Sequence, residues 1–421
     1  MNLKCLYRFL YTLAISVYVG AIYMVAPFHR KAKLMIEGRK RVLDRLRAVR
    51  RDGDRWIWVH VSSLGEFEQA RPLLERLHSD YPYYRVALTF FSPSGYEPRK
   101  NYPLVDIVTY LPFDTSRDIV RFIDTLQPEI VLFVKYEFWL RTLSLLRKRR
   151  ITTYLISAIF RQEQPFFKKG YGAIFRDALR AFKTIFVQNK ESVELLHSIG
   201  FDNAIVTGDT RIDRVAMIRD DAFSLPALEA LSKVVKQKGS KIIILGSSWP
   251  QDEEMLIPYL LSHPKVFPIV VPHEVDESHI RAIISIADGQ ATRFSEWAGK
   301  GLEQMKMLII DKVGLLSKLY RFADIAYIGG GFGKGIHNTL EPAVYGIPVL
   351  FGPNYHKFRE AVELIKVGGG FTVSSLSEAT SIIDKLLSDD TYLVNSGQAA
   401  HQWIEEQLGA TDGLLSEIFR H

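Results

Sequence analysis

The sequence predicts two doubly wound α/β domains preceded by one apolar helical segment, and three observations carry that prediction. Short apolar runs alternate with amphipathic helical patterns in two successive series. Those runs are largely apolar, as in parallel strands covered on both faces. One uncharged stretch stands apart from both series, near the N-terminus. At 421 residues the chain exceeds what one core ordinarily supports. Apolar residues make up 47% and charged residues 24%, which excludes a long disordered or low-complexity chain.

The N-terminal stretch, Phe9 to Phe28, reads FLYTLAISVYVGAIYMVAPF. As a helix it is long enough to cross a hydrocarbon core of roughly 30 Å. Tyr11, Tyr18 and Tyr23 favour a membrane interface, so spanning and lying flat both stay open. Ten Lys or Arg residues follow between His29 and Arg51, Arg39, Lys40 and Arg41 among them, against Glu37 and Asp44. A polybasic stretch beside an apolar segment belongs on the cytoplasmic side and attracts anionic headgroups. A cleaved signal peptide fits poorly, because the charge follows the apolar run and no small-residue cleavage site appears. Cys5 is the only cysteine, so one chain builds neither a disulfide nor a cysteine metal site.

The first series places strands at 56–61, 84–90, 130–134, 152–158 and 184–188, with a helix over 67–78. The second places them at 241–248, 267–272, 307–311, 325–330 and 348–352. Expected boundaries are an anchor at 1–28, a first Rossmann-like domain at 29–213, a second at 214–394, and a helical segment at 395–421 placed to return to the first domain. Doubly wound sheets bind ligands at the carboxyl ends of their strands, so two such domains are expected to face a cleft.

Candidate chemistry falls at those strand ends. Ser62-Ser63-Leu64-Gly65-Glu66 turns the first strand into a helix. Glu66 there reads either as a charge favoured by the helix dipole or as a general base. Lys135-Tyr136-Glu137-Phe138-Trp139 ends another strand and reads either as rim packing or as an acceptor surface, with Lys135 on a phosphate and the aromatic rings on a sugar or apolar group. The densest signal is the run 328–353, where Gly329, Gly330, Gly331, Gly333 and Gly335 precede a helix expected to begin between His337 and Leu340. It reads as a flexible loop or as a phosphate cradle at a helix N-terminus, with Glu341 placed to accept two ribose hydroxyls. No G-K-[ST] follows the glycines, so it is not a Walker loop. Gly246-Ser247-Ser248 and Pro272-His273-Glu274 end two more strands, where His273 is either a ligand contact or an ordinary packing residue. No His, Asp and Glu set has metal-ligand spacing.

The ordered set S-S-L-G-E-F-E at 62–68, K-Y-E-F-W at 135–139, V-T-G-D at 206–209, G-S-S at 246–248 and G-G-G…H-N-x-L-E-P-A-x-x-G-x-P-V-L-F-G-P resembles the Kdo (3-deoxy-D-manno-octulosonic acid) transferase family, from the anchor to about residue 370. The resemblance implies a GT-B fold, with an acceptor-binding first domain and a second domain that binds CMP-Kdo. It implies inverting transfer of Kdo to a lipid A precursor at the cytoplasmic face of the inner membrane, in contact with anionic lipids, without metal, cofactor or nucleic acid. Glu66 becomes the catalytic base. Acceptor contacts are expected at Ser63, Gly65, Lys135, Glu137 and Trp139. Donor contacts are expected at Gly246, Ser247, Ser248, Pro272, His273, Gly329, Gly330, Gly331, His337, Asn338 and Glu341. Lys135, Asp209 and the Pro-His-Glu run depart from the family pattern of acid, Asn and Pro-Arg-His. A nucleotide-sugar epimerase of the same architecture and an idle membrane-bound nucleotide-binding protein are the alternatives; neither the anchor nor the basic stretch is needed by the epimerase.

Overall fold

The computed structural model describes residues 3–297, 299, 301 and 304–420. Met1, Asn2 and His421, at the ends of the expected terminal segments, lie outside that set, as do the side chains of residues 3–8, Cys5 and Tyr7 included, and of Ser116. The chain forms two compact units, one of Met1–Arg214 with Gly409–His421 and one of Val215–Leu408.

The first unit holds a seven-stranded sheet of β1 (Arg55–Val61), β2 (Tyr84–Phe90), β3 (Ile107–Tyr110), β4 (Pro128–Val134), β5 (Thr152–Ala158), β6 (Thr184–Val187) and β7 (Ala204–Val206). Its order is β3-β2-β1-β4-β5-β6-β7, with every pairing parallel. Parallel neighbours need crossover helices, which cover both faces; accordingly six of the seven β1 residues are buried. Trp56, Trp58, Phe90, Phe133 and Phe186 fill this core with no exposure above 0%. The strand order reverses direction between β1 and β4, the place where such sheets bind ligands.

The second unit repeats the plan with β8 (Lys241–Ser248), β9 (Val266–Pro272), β10 (Ala291–Arg293), β11 (Met307–Ile309), β12 (Ile325–Ile328), β13 (Val349–Phe351) and β14 (Gly370–Thr372). The order is β10-β11-β9-β8-β12-β13-β14, again parallel, and it reverses between β8 and β12. The architecture is the GT-B type that the resemblance implies, made of the two doubly wound sheets that the alternating pattern predicts. Of the C-terminal segment, the helix Asp390–Glu405 stays with the second unit and the helix Ala410–Ile418 with the first, where Phe419 stacks on Tyr81 at 4.0 Å.

The apolar N-terminal segment is helix α1 (Leu3–Val25), followed by α2 (Arg30–Arg39) and α3 (Val42–Val49). Among the described residues no single helix is long and apolar enough to cross a membrane; Phe9–Val25 and Arg30–Arg39 pass such a test only as a pair, bent by 115°. One stripe of α1 is engaged by its own unit. Ile22 packs with Ala32, Ile36 and Phe113, with Val19 beside them, and the Tyr11 hydroxyl donates to Asp114 Oδ2 at 2.6 Å. The opposite stripe, Phe9, Leu13, Val17 and Met24, with Phe28 just beyond the helix, is exposed at 51% or more. Arg39, counted with the basic stretch, turns inward. Its guanidinium donates to the carbonyls of Leu111 (2.8 Å), Phe91 (2.8 Å) and Met35 (3.0 Å) and lies over Phe113 at 4.3 Å.

Candidate functional site

In the first unit the carboxyl ends of β1 and β4 lie side by side, and both expected motifs sit there. Helix α4 (Leu64–Asp80) starts directly after β1 because Ser63 caps it. Glu66, the third residue of α4, reaches back so that its Oε2 accepts from the Ser63 N–H at 3.0 Å and from the Ser63 hydroxyl. This is a capping box, so Glu66 holds the local turn and is itself held by it. A Cβ on Gly65 would meet only Ser63 Oγ, at 3.8 Å, so protein packing does not require glycine there. Gly95 differs: its Cβ would stand 2.9 Å from the Ser63 carbonyl carbon, and this close approach sets the position of the turn.

After β4, Lys135 adopts a left-handed backbone with φ +62°, a strained choice for a residue with a side chain. The chain thereby turns Tyr136 and Lys135 toward charges from other loops. Burial raises the Tyr136 phenol, Arg161 and Arg211 pull it back, and the Glu66 charge raises it again. Arg211 grips Asp209 with Nη2–Oδ2 at 2.6 Å and Nε–Oδ2 at 2.9 Å. Burial alone would raise the Asp209 carboxyl; Arg211, aided by Lys135, holds it below the usual carboxylate range. The Asp209 carboxylate thus stands beside Arg211, with Lys135 near enough to act on it.

Glu137 and Trp139 point into a buried network. Glu137 Oε2 accepts from the Trp139 indole at 2.7 Å and lies 3.1 Å from His60 Nε2, while His60 Nδ1 lies 2.8 Å from Thr89 Oγ1. Burial alone would raise the Glu137 carboxyl, but His60 first, then Trp139 and Ser62, hold it below its ordinary value. The network fixes the rim of the site by tying β1, β2 and the segment after β4 together.

In the second unit the ends of β8, β9, β12 and β13 converge. Ser247 has φ +51° at a bulge in β8, and a Cβ on Gly329 would stand 2.3 Å from the Ser247 carbonyl oxygen. A Cβ on Gly331 would fall 2.5 Å from Gly352 Cα. These glycines are therefore demanded by backbone approach within the protein. Three of the amides expected to cradle a phosphate are already engaged: Gly329 N–H donates to Gly246 O at 2.9 Å, Gly330 N–H to Asp252 Oδ2 at 3.0 Å, and Gly333 N–H to Gly330 O at 3.0 Å. The helix that follows, Leu340–Ala343, is a single turn. Its dipole contribution is correspondingly small. Asn338 Oδ1 accepts from Leu340 N–H at 3.1 Å and its Nδ2 donates to Glu341 Oε1 at 3.1 Å, which aims the Glu341 carboxylate.

His337 and His273 stack at 4.2 Å, and Trp249 covers His273 at 4.9 Å. The Trp249 indole N–H donates to His337 Nε2 at 3.0 Å, leaving Nδ1 as the protonated nitrogen of the neutral ring. Burial, then the neighbouring His273 charge, push His337 down to about 4. The Ser248 hydroxyl is buried and donates to Glu253 at 2.7 Å, and Glu253 also meets His279 at 2.9 Å. Pro272 closes β9, and the His273 N–H donates to Ser248 O at 3.0 Å. Among the described residues no three His, Cys, Asp or Glu side chains are grouped to hold a metal ion.

The structure thus brings Ser63, Gly65, Glu66, Lys135, Glu137 and Trp139 to one end of the first sheet, and the eleven expected donor residues to one end of the second. Sequence reading missed His60, Arg161, Arg211, Trp249 and Asp252. His60 hides inside an apolar strand pattern. Arg211 and Trp249 had a signal, since each lies within two residues of a motif already singled out.

Residues 38–214 match the family model for 3-deoxy-D-manno-octulosonic-acid transferase (kdotransferase). The 3-deoxy-D-manno-octulosonic acid transferase of Aquifex aeolicus is 28% identical over 339 residues, covering 79% of this chain and 86% of that protein. The one from Haemophilus influenzae is 26% identical over 371 residues, covering 85% of each. Among solved structures, a putative UDP-N-acetylglucosamine 2-epimerase from Listeria monocytogenes aligns with TM-score 0.60 and 14% identity, over 87% of this chain and 96% of that one. That likeness is one of fold.

Proposed function

We propose that this chain is a Kdo transferase, which moves Kdo from CMP-Kdo onto a sugar hydroxyl of a lipid A precursor, a step of lipopolysaccharide synthesis. Glu66 is the general base. It takes the hydroxyl proton as the acceptor oxygen bonds to the anomeric carbon of Kdo, and the bond from that carbon to the CMP phosphate breaks with its electron pair leaving on CMP. Attack opposite the leaving group inverts the anomeric centre. The observation that carries this reading is the Glu66 carboxylate, fixed through one oxygen by Ser63 at the carboxyl end of β1, at the same sheet end as Lys135 and the Arg211–Asp209 pair. Such cations suit an acceptor bearing phosphate groups.

Donor contacts fall to the second unit. Glu341, aimed by Asn338, accepts the ribose hydroxyls, and the protonated Nδ1 of His337 donates to the donor's anionic group. No metal enters this scheme. The exposed stripe of α1 lies in the cytoplasmic face of the inner membrane, with Arg30, Lys31 and Lys33 at the anionic headgroups.

The test is direct: detergent-extracted protein is incubated with CMP-Kdo and a lipid A precursor, and lipid-linked Kdo is measured. Donor hydrolysis or epimerisation without lipid-linked product defeats the proposal.

A further inference from the structure

Helix α1 reaches the Trp139 rim by two independent routes. The first runs through Asp114, which is 1% exposed and accepts four hydrogen bonds. Its Oδ1 takes the Thr142 N–H at 2.9 Å and the Thr142 hydroxyl at 2.6 Å; its Oδ2 takes the Arg141 N–H at 3.0 Å and the Tyr11 hydroxyl at 2.6 Å. Thr142 and Arg141 open the helix Leu140–Lys148, whose N-cap is Trp139. The Arg141 guanidinium also donates to Thr12 Oγ1. A single buried carboxylate therefore ties α1 to the backbone that aims Trp139.

The second route is a stack of rings. Tyr18 of α1 lies on Phe91 at 6.4 Å and 21°, and Phe91 lies on Trp139 at 4.5 Å and 34°. The far side of Trp139 is fixed by its bond to Glu137 and, through it, to His60 at the end of β1. Arg39 of α2 braces Phe91 from the side, with its guanidinium 5.0 Å from the ring and bonded to the Phe91 carbonyl. An isolated tether would need none of these contacts. Aromatic pairs and buried charge-assisted bonds both fix orientation, and here they converge on one side chain.

We propose that α1 is a positioning element of the acceptor site: Tyr11 through Asp114, and Tyr18 through Phe91, hold Trp139 in its working place. The helix then contributes to acceptor handling in detergent as well as at a bilayer. This inference rests on the Kdo-transfer reading and on the first unit binding the acceptor.

The test uses the full chain in detergent with a dispersed, short-acyl acceptor. Tyr11→Phe and Tyr18→Ala each raise the acceptor KM or lower kcat by about fivefold or more, the scale of one lost hydrogen bond or aromatic contact. The CMP-Kdo KM and binding to anionic vesicles stay as they were. Tyr18→Phe, which keeps the stack, restores acceptor KM. In parallel, 5-fluorotryptophan labelling reports on Trp139, its resonance assigned with Trp139→Phe, and the resonance shifts in Tyr11→Phe and Tyr18→Ala. An unmoved resonance, or acceptor kinetics within twofold of the unaltered protein, overturns the proposal. Absence of Kdo transfer by the unaltered protein overturns the functional reading itself, whatever the resonance does.

Discussion

Exchange of Glu66 for Gln separates the two roles of that residue, because glutamine still completes a capping box but cannot take a proton. We expect Glu66→Gln to melt with the unaltered protein, to bind CMP-Kdo with unchanged affinity, and to lose transfer by about a hundredfold or more, the usual scale of a general base. Retained turnover in a Kdo-transfer assay removes Glu66 from the mechanism. His337 offers a second test through pH. Its proton affinity is lowered from 6.5 to about 4, first by burial and then by His273. Between those values the unfolded chain carries a proton that the folded one lacks, so stability rises with pH across the window and falls as pH drops from 6.5 toward 4. Urea midpoints of the second unit at pH 7 and pH 5 should differ more in the unaltered protein than in His337→Gln. An equal difference in both assigns the dependence to other groups.

The glycine-rich run shows at the level of elements why pattern and role diverge. Read along the chain, Gly331 and Gly333 look alike; folded, only Gly331 lies against another backbone. A Cβ there would fall 2.5 Å from Gly352 Cα, whereas on Gly333 it would meet its nearest atom at 3.6 Å. Gly331→Ala should therefore destabilise the second unit by about 1–3 kcal/mol, the usual cost of overpacking, while Gly333→Ala leaves the thermal midpoint almost unmoved. Equal midpoints for the two variants would mean that the Gly331–Gly352 approach is relaxed in solution. The strands that the sequence announced, such as β2, β5 and β8, are long apolar runs at the middle of their sheets. The four it left unannounced, β3, β7, β10 and β14, are the outer strands of the two sheets and hold only three or four residues each. An edge strand has one paired neighbour and, when short, generates no apolar run long enough to stand out. The partners of Glu137 were hidden for a related reason: His60 lies 77 residues away in sequence, and only the parallel pairing of β1 with β4 brings them together.

For the whole molecule, the decisive question is what remains when the apolar segment is removed. The main core of the first unit begins at Val42, and the buried residues of the second begin at Val215, so a chain lacking residues 1–28 should still fold in both units. It loses the Tyr11 bond to Asp114, which leaves a buried carboxylate short of one partner and lowers the stability of the first unit by about 1–3 kcal/mol. Membrane attraction should survive in part. Arg30, Lys31, Lys33, Lys40 and Arg41 are exposed, whereas Arg39 braces Phe91 and Phe113 and is unsuited to a charge-neutralising test. Each exposed cation near an anionic surface contributes on the order of 1 kcal/mol, screened within about 8–10 Å at ordinary ionic strength. Co-sedimentation of the truncated chain with anionic vesicles should thus be strong at low salt, weak at physiological salt, and nearly abolished by joint replacement of Lys31, Lys33 and Lys40 with Gln. If the truncated chain ignores those vesicles even at low salt, the basic residues form only a solvated helix face. Attachment then belongs to the Phe9, Leu13, Val17, Met24 and Phe28 stripe alone.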